Sequence, residues 1–180
     1  MTGFATESAL AFSERRPEAT RTRLITWQDP LESMAAGAGM SGLAYMQAIA
    51  AGEIPPPPIA VTLNFAIVEV EHGRAVFEGE PGEEHYNPIG VVHGGYAATL
   101  LDSALGCAVH STLEPGVAYT TLSLETKFVR AITRDNARIR AEADVVHRGR
   151  RQATAEARLT DTGSGKLLAH ATTTCLIIAG

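Results

Sequence analysis

The run His93-Gly94-Gly95-Tyr96-Ala97-Ala98-Thr99-Leu100-Leu101-Asp102-Ser103-Ala104-Leu105-Gly106-Cys107-Ala108-Val109-His110 decides how this chain folds. From His93 to Leu113 it carries one charged side chain, Asp102. A helix that is apolar nearly all round must be buried nearly all round, so the stretch predicts one long internal helix over about 93–113. It does not read as a membrane span, because an aspartate at mid-bilayer would cost about 2.5–3.5 kcal/mol.

On either side of this helix the pattern has period two, which is the signature of half-buried strands. Val61–Glu71 and Arg74–Glu80 flank His72-Gly73, a hairpin turn. Beyond the helix, Val117–Ala131 reads as a strand. Asn136–His147 alternates Ile139, Ala141, Ala143 and Val145 with Arg138, Arg140, Glu142 and Asp144. Gln152–Asp161 and Lys166–Ile178 complete the series. Short turns bearing glycine predict an antiparallel meander with one apolar face. The class is therefore α+β, with a helix layered on a sheet.

With 180 residues, 45% of them hydrophobic and 19% charged, the chain suits one domain with a real core. A net charge of -5 and a pI of about 5.7 offer no field for phosphate backbones or anionic lipid, so neither nucleic acid nor membrane is expected as a partner. Cys107 and Cys175 lie apart with no CxxC spacing, which argues against a disulfide framework and a zinc site. The start of the chain mixes Glu7, Glu14 and Glu18 with Arg15 and Arg16 and has no apolar signal core. A cytoplasmic protein is expected.

Residues 1–40 show no sustained period and read as an N-terminal extension, partly loop or disordered, with Met34–Gly39 as linker. The domain proper is expected over 41–180. It opens with a helix from Gly42 to Ala51 capped by Ser41, followed by Pro55-Pro56-Pro57-Pro58 as a rigid spacer.

Chemistry concentrates in His85-Tyr86-Asn87-Pro88-Ile89-Gly90-Val91-Val92-His93-Gly94-Gly95 and the helix that follows. His-Gly-Gly at a helix start leaves backbone N–H groups unpaired at the positive end of the dipole, and glycine lets a ligand approach closely. The plain alternative is that Gly94 and Gly95 only permit tight helix-on-sheet packing. A lone carboxylate in an apolar helix is costly without compensation, so Asp102 is a candidate general base or nucleophile; otherwise Ser103 or Thr99 satisfies it, or it lies on an exposed stripe. Gly94 and Asp102 are eight positions apart, about 12 Å along one helix, too far to touch one carbonyl carbon. If both are catalytic, the site joins Gly94 of one chain to Asp102 of another. His147-Arg148-Gly149-Arg150-Arg151 is the densest positive charge in the chain and falls in a turn, where arginine forks suit phosphates. Arg130 is expected nearby; a solvated loop is the ordinary alternative. His85, His93 and His110 show no metal-ligand spacing, so no metal is expected.

The Asn87, His93-Gly94-Gly95 and Asp102 pattern resembles the signature of hotdog-fold acyl-CoA thioesterases of the phenylacetate-degradation (PaaI) type, and the resemblance extends over about residues 41–178. It implies a curved antiparallel sheet wrapped around the long helix. It also implies Gly94 N–H as oxyanion donor and Asn87 as an orienter of water or thioester. His93 would shape the turn, and Thr121 would be a hydroxyl near the nucleophile, with Thr120 and Ser123 as neighbouring choices. Gly95, Arg148, Gly149, Arg150 and Arg151 would bind substrate. The implied protein is an enzyme hydrolysing an aryl- or medium-chain acyl-CoA to free acid and CoA, with no cofactor. Tyr96, Tyr119 and the helix from Gly42 are candidates for its acyl pocket. The implied assembly is a homodimer with shared active sites, or a homotetramer built as a dimer of dimers. The rival reading is a non-catalytic hotdog protein that senses or carries acyl-CoA.

Overall fold

The apolar run forms helix α4, Gly94–His110, in a computed structural model that describes residues 21–178. Leu100, Leu101, Ala104, Leu105, Ala108 and Val109 are fully enclosed, and each leucine contributes about 1.5–3 kcal/mol by leaving water. The enclosure comes from one antiparallel sheet, all six strands of which touch α4. Its strands are β1 (Phe65–Glu71), β2 (Arg74–Gly79), β3 (Ala118–Phe128), β4 (Ile139–Arg148), β5 (Gln152–Asp161) and β6 (Leu167–Ile178). Ala141 and Ala143 of β4 and Ala153, Ala155 and Ala157 of β5 face inward, and their small side chains let the helix lie close to the sheet. This is the hotdog architecture. No helix among the described residues is long and apolar enough to cross a membrane.

The strand order is β1-β2-β4-β5-β6-β3, so the expected meander holds for β4, β5 and β6 but not throughout. With 17 residues, α4 spans about 25 Å and carries the chain to the far side of the sheet. There β3 pairs only with β6 and forms the edge. A bulge between Thr121 and Ser123 breaks its register.

Two further expectations are corrected. Val61–Leu63 are helical, not strand. Pro58 opens α3 (Pro58–Leu63) at its first position, where a missing N–H costs nothing, and Asn64 in the left-handed conformation (φ 55°) ends it and turns the chain into β1. Part of the expected linker is also helical: Asp29 accepts from Leu31 N at 2.8 Å and Pro30 starts α1, Pro30–Ala36. The helix expected after Ser41 is α2, Gly42–Ala50, with Ser41 Oγ accepting from Ala44 N at 3.2 Å. Arg23 holds residues 21–29 against the domain through Glu84 (2.9 Å) and the carbonyls of Val61 and Thr62. The first 20 residues of the expected extension lie outside the described residues.

Candidate active site

The segment before α4 is a tight loop tied by its own backbone. His93 N donates to His85 O (2.8 Å), Asn87 N to Val91 O (2.8 Å), and Val92 N to Ile132 O (2.9 Å), which fastens the loop to the chain leaving β3. Asn87 Oδ1 accepts from Ile89 N (3.1 Å) and Val91 N (3.3 Å). That oxygen is spent on the turn, and a ligand would meet only the Nδ2 amide.

His93 caps α4. Its Nδ1 accepts from Gly95 N at 2.8 Å and its carbonyl from Tyr96 N at 3.0 Å. The imidazole is thereby engaged in shaping the helix start. Gly95 N is likewise satisfied. Gly94 N–H has no acceptor among the described residues. It borders a cleft of about 270 Å³ lined by Val92, Ala97, Phe128, Arg130 and Ile132. A Cβ at position 94 would stand 3.2 Å from the exposed Phe128 ring, which would have to give by a few tenths of an ångström.

Asp102 lies half-buried on the face of α4 toward β3. Thr121 Oγ1 donates to its Oδ1 at 3.2 Å, while Thr120 and Ser123 point outward, which settles the register. Ser103 and Thr99 do not satisfy the carboxylate, because each donates to a helix carbonyl four residues back, Thr99 O and Gly95 O, at 2.8 Å. Burial, with Asp102's charge second, pushes the Cys107 thiol up to about 12. Burial first also raises Cys175 and Tyr119, so neither thiol is a nucleophile at neutral pH; both are free.

The arginine turn joins β4 to β5. Arg148 Nη1 donates to the adjacent Gly149 O, whereas Arg150 and Arg151 are exposed and have no ion-pair partner among the described residues. They line a cleft of about 490 Å³ with His147, Gly149, Gln152 and Leu176. Arg130 is not beside them as expected. It donates to Leu167 O (2.6 Å) and borders the Gly94 cleft instead. Tyr96 is buried against His85, with ring centroids 4.6 Å apart. Tyr119 lies near α2 through His110, whose ring packs at a tilt against Tyr119 (5.3 Å) and Tyr45 (5.9 Å). Reasoning from sequence missed Phe128 and His85; a lone aromatic at a strand end and a histidine before a turn carry no distinguishing spacing.

The enclosed helix of this hotdog fold thus starts with a backbone donor that is unpaired among the described residues and carries one carboxylate two turns on. Residues 89–168 match the Thioesterase superfamily. The chain is 32% identical to the phenylacetic acid degradation-related protein of Ralstonia eutropha JMP134, whose solved structure superposes with a TM-score of 0.67 over 73% of this chain and 98% of that one. A variant of the phenylacetic acid degradation protein PaaI from Thermus thermophilus is 30% identical, with a TM-score of 0.60 over 67% of this chain and 98% of that one. The 1,4-dihydroxy-2-naphthoyl-CoA hydrolase of Listeria monocytogenes is 28% identical over 100 residues, 56% of this chain and 80% of that protein. This chain belongs to the thioesterase superfamily, among its PaaI-like members, and is a thioester hydrolase.

Proposed function

We propose that the protein hydrolyses an acyl-CoA with an aryl or medium-length acyl group, in a homodimer whose two sites each combine Gly94 of one chain with Asp102 of the other. The observation that carries this is the unpaired Gly94 N–H at the edge of an apolar cleft. Attack on a thioester places negative charge on the carbonyl oxygen, and a pre-aimed donor in a site of low dielectric stabilises it. The partner's Asp102 takes a proton from water as the water oxygen bonds to the carbonyl carbon, or its carboxylate attacks that carbon itself and forms a mixed anhydride, which a water then hydrolyses to release the acid and restore Asp102; Thr121 holds the carboxylate in either case. Collapse breaks the C–S bond, and CoA leaves as a thiolate that needs no strong acid. The cleft walls of Val92, Ala97, Phe128 and Ile132 suit an apolar acyl group. Arg150 and Arg151 are free to take CoA phosphates, with Arg148 and Gly149 shaping their turn. The unpaired outer edge of β3 is a surface on which a second chain can pair, and two such dimers can form a tetramer.

Complementation tests this reading. Gly94→Pro removes the donor at a first-turn position that tolerates proline, and His93 already has the extended backbone (φ -62°, ψ 136°) that a following proline requires. Gly94→Pro chains and Asp102→Asn chains should each be inactive. Mixed heterodimers hold one site with both defects and one with neither, so random pairing should restore about a quarter of wild-type thiol release. Heterodimers isolated by two different tags that are no more active than either parent would refute the shared site.

A further inference from the structure

We propose that His85 is a positioning residue for hydrolysis: as a neutral imidazole it holds the loop that aims the Gly94 N–H. This rests on Gly94 being the oxyanion donor. His85 touches both sides of that donor. Its carbonyl accepts from His93 N at 2.8 Å, one residue before Gly94, and its ring packs at a tilt against Tyr96 at 4.6 Å, two residues after it. Its Nδ1 accepts from Gly82 N at 2.9 Å and so fixes the far end of the loop.

The protonation state follows from geometry. Nδ1 accepts a hydrogen bond, so the proton of the neutral ring is on Nε2, which is buried without a partner among the described residues. The residue is only 8% exposed. A buried donor left unpaired costs about 1–3 kcal/mol, and a phenylalanine would fill the same space without that cost. What phenylalanine lacks is the Nδ1 acceptor. A second proton would put an N–H against Gly82 N–H and bury a charge. Burial indeed lowers the His85 pKa. Glu84 on its own segment opposes that shift, and Arg23 of the N-terminal segment reinforces it. From α4 the ring is faced by Tyr96, itself held neutral by burial, with Glu80 beyond it. A base with a lowered pKa contributes fully above its ordinary value of 6.5, and that contribution is lost as pH falls through the folded-state value. The loop should loosen on the acid side only.

Two variants separate this role from space-filling. His85→Phe keeps the ring against Tyr96 and removes the acceptor; at pH 8, kcat should fall about tenfold while KM for a short acyl-pantetheine thioester changes less than twofold, since the donor acts on the transition state. His85→Asn places an oxygen near the Nδ1 position and cannot be protonated; it should keep kcat within about threefold at pH 8, and its acid limb should move to lower pH. Circular dichroism confirms folding. A folded His85→Phe enzyme with wild-type kcat, or a His85→Asn acid limb that coincides with wild type, overturns the proposal. Gly94→Pro is assayed alongside, with Gly94→Ala as the control that adds the Cβ and keeps the N–H. An active Gly94→Pro enzyme refutes the donor reading itself, whereas an inactive one beside an unaffected His85→Phe refutes the role of His85 alone.

Discussion

Gly94 and Asp102, the two groups proposed for the site, sit on one helix and are built in opposite ways. The Gly94 end is made of backbone: His85, Asn87 and Val92 close the loop, His93 caps the helix, and one N–H is left over. The Asp102 middle is held by a side chain, with one hydrogen bond among the described residues, 3.2 Å from Thr121 on an edge strand. A donor must be aimed before charge develops, because aiming it during the reaction would cost reorganisation. A carboxylate that exchanges a proton or forms a bond has to stay reachable. The difference matches the roles proposed for them.

The largest effect should come from the carboxylate. Asp102→Asn preserves shape and the Thr121 contact while removing the charge, so kcat for acyl-CoA hydrolysis should fall by about 10²–10⁴ with an unchanged melting temperature. Near-normal turnover in the folded variant would remove Asp102 from the mechanism. Thr121→Ala should act more weakly. It deletes one hydrogen bond to a charged group, of order 1.5 kcal/mol, which corresponds to about a tenfold loss in kcat. Thr121→Ser keeps the hydroxyl and should restore most of it. Equal losses in the alanine and serine variants would mean that packing, not the hydroxyl, is what matters there.

The same contrast governs how much was legible in the sequence. The helix could be read because one charge in an apolar run leaves it nowhere to go but inside. Gln152–Asp161 matches β5 residue for residue because its alternation is strict. Val61–Leu63 misled because their β-branched and apolar side chains fit a strand, while Pro58 and Asn64 decide for a helix. Asp29-Pro30, a cap followed by a first-turn proline, was a usable signal for α1 hidden in a small-residue stretch. The position of β3 at the far edge was not legible, since it depends on where α4 delivers the chain. In the site, Gly94 and Asp102 could be singled out on physical grounds. Thr121 came from resemblance, and the consumption of Asn87 Oδ1 by its own loop only from geometry.

The smallest effect concerns a third region, and it separates binding from chemistry. On the outer face of β1, β2 and β4 arginines are matched by glutamates: Arg74 with Glu69 (3.0 Å) and Glu142 (2.7 Å), Arg140 with Glu78 (2.9 Å), and Arg138, just before β4, with Glu80 (2.6 Å). At the β4–β5 turn Arg150 and Arg151 are unmatched among the described residues and line an open cleft. Unpaired cations on a chain of net charge -5 are suited to an anionic ligand, and CoA brings phosphates. Replacing both with glutamine should raise KM for acyl-CoA about five- to tenfold while leaving kcat unchanged, because phosphates far from the thioester bind ground and transition states alike. KM for the matching pantetheine thioester, which lacks the nucleotide phosphates, should stay within twofold. Raising salt from 0.05 to 0.5 M should weaken acyl-CoA binding in the wild type and much less in the double variant, since screening acts only where the charges remain. The same KM change with both substrates would show that the turn is ordinary solvated surface, and the phosphate contacts would then have to be sought at Arg130, beside the Gly94 cleft.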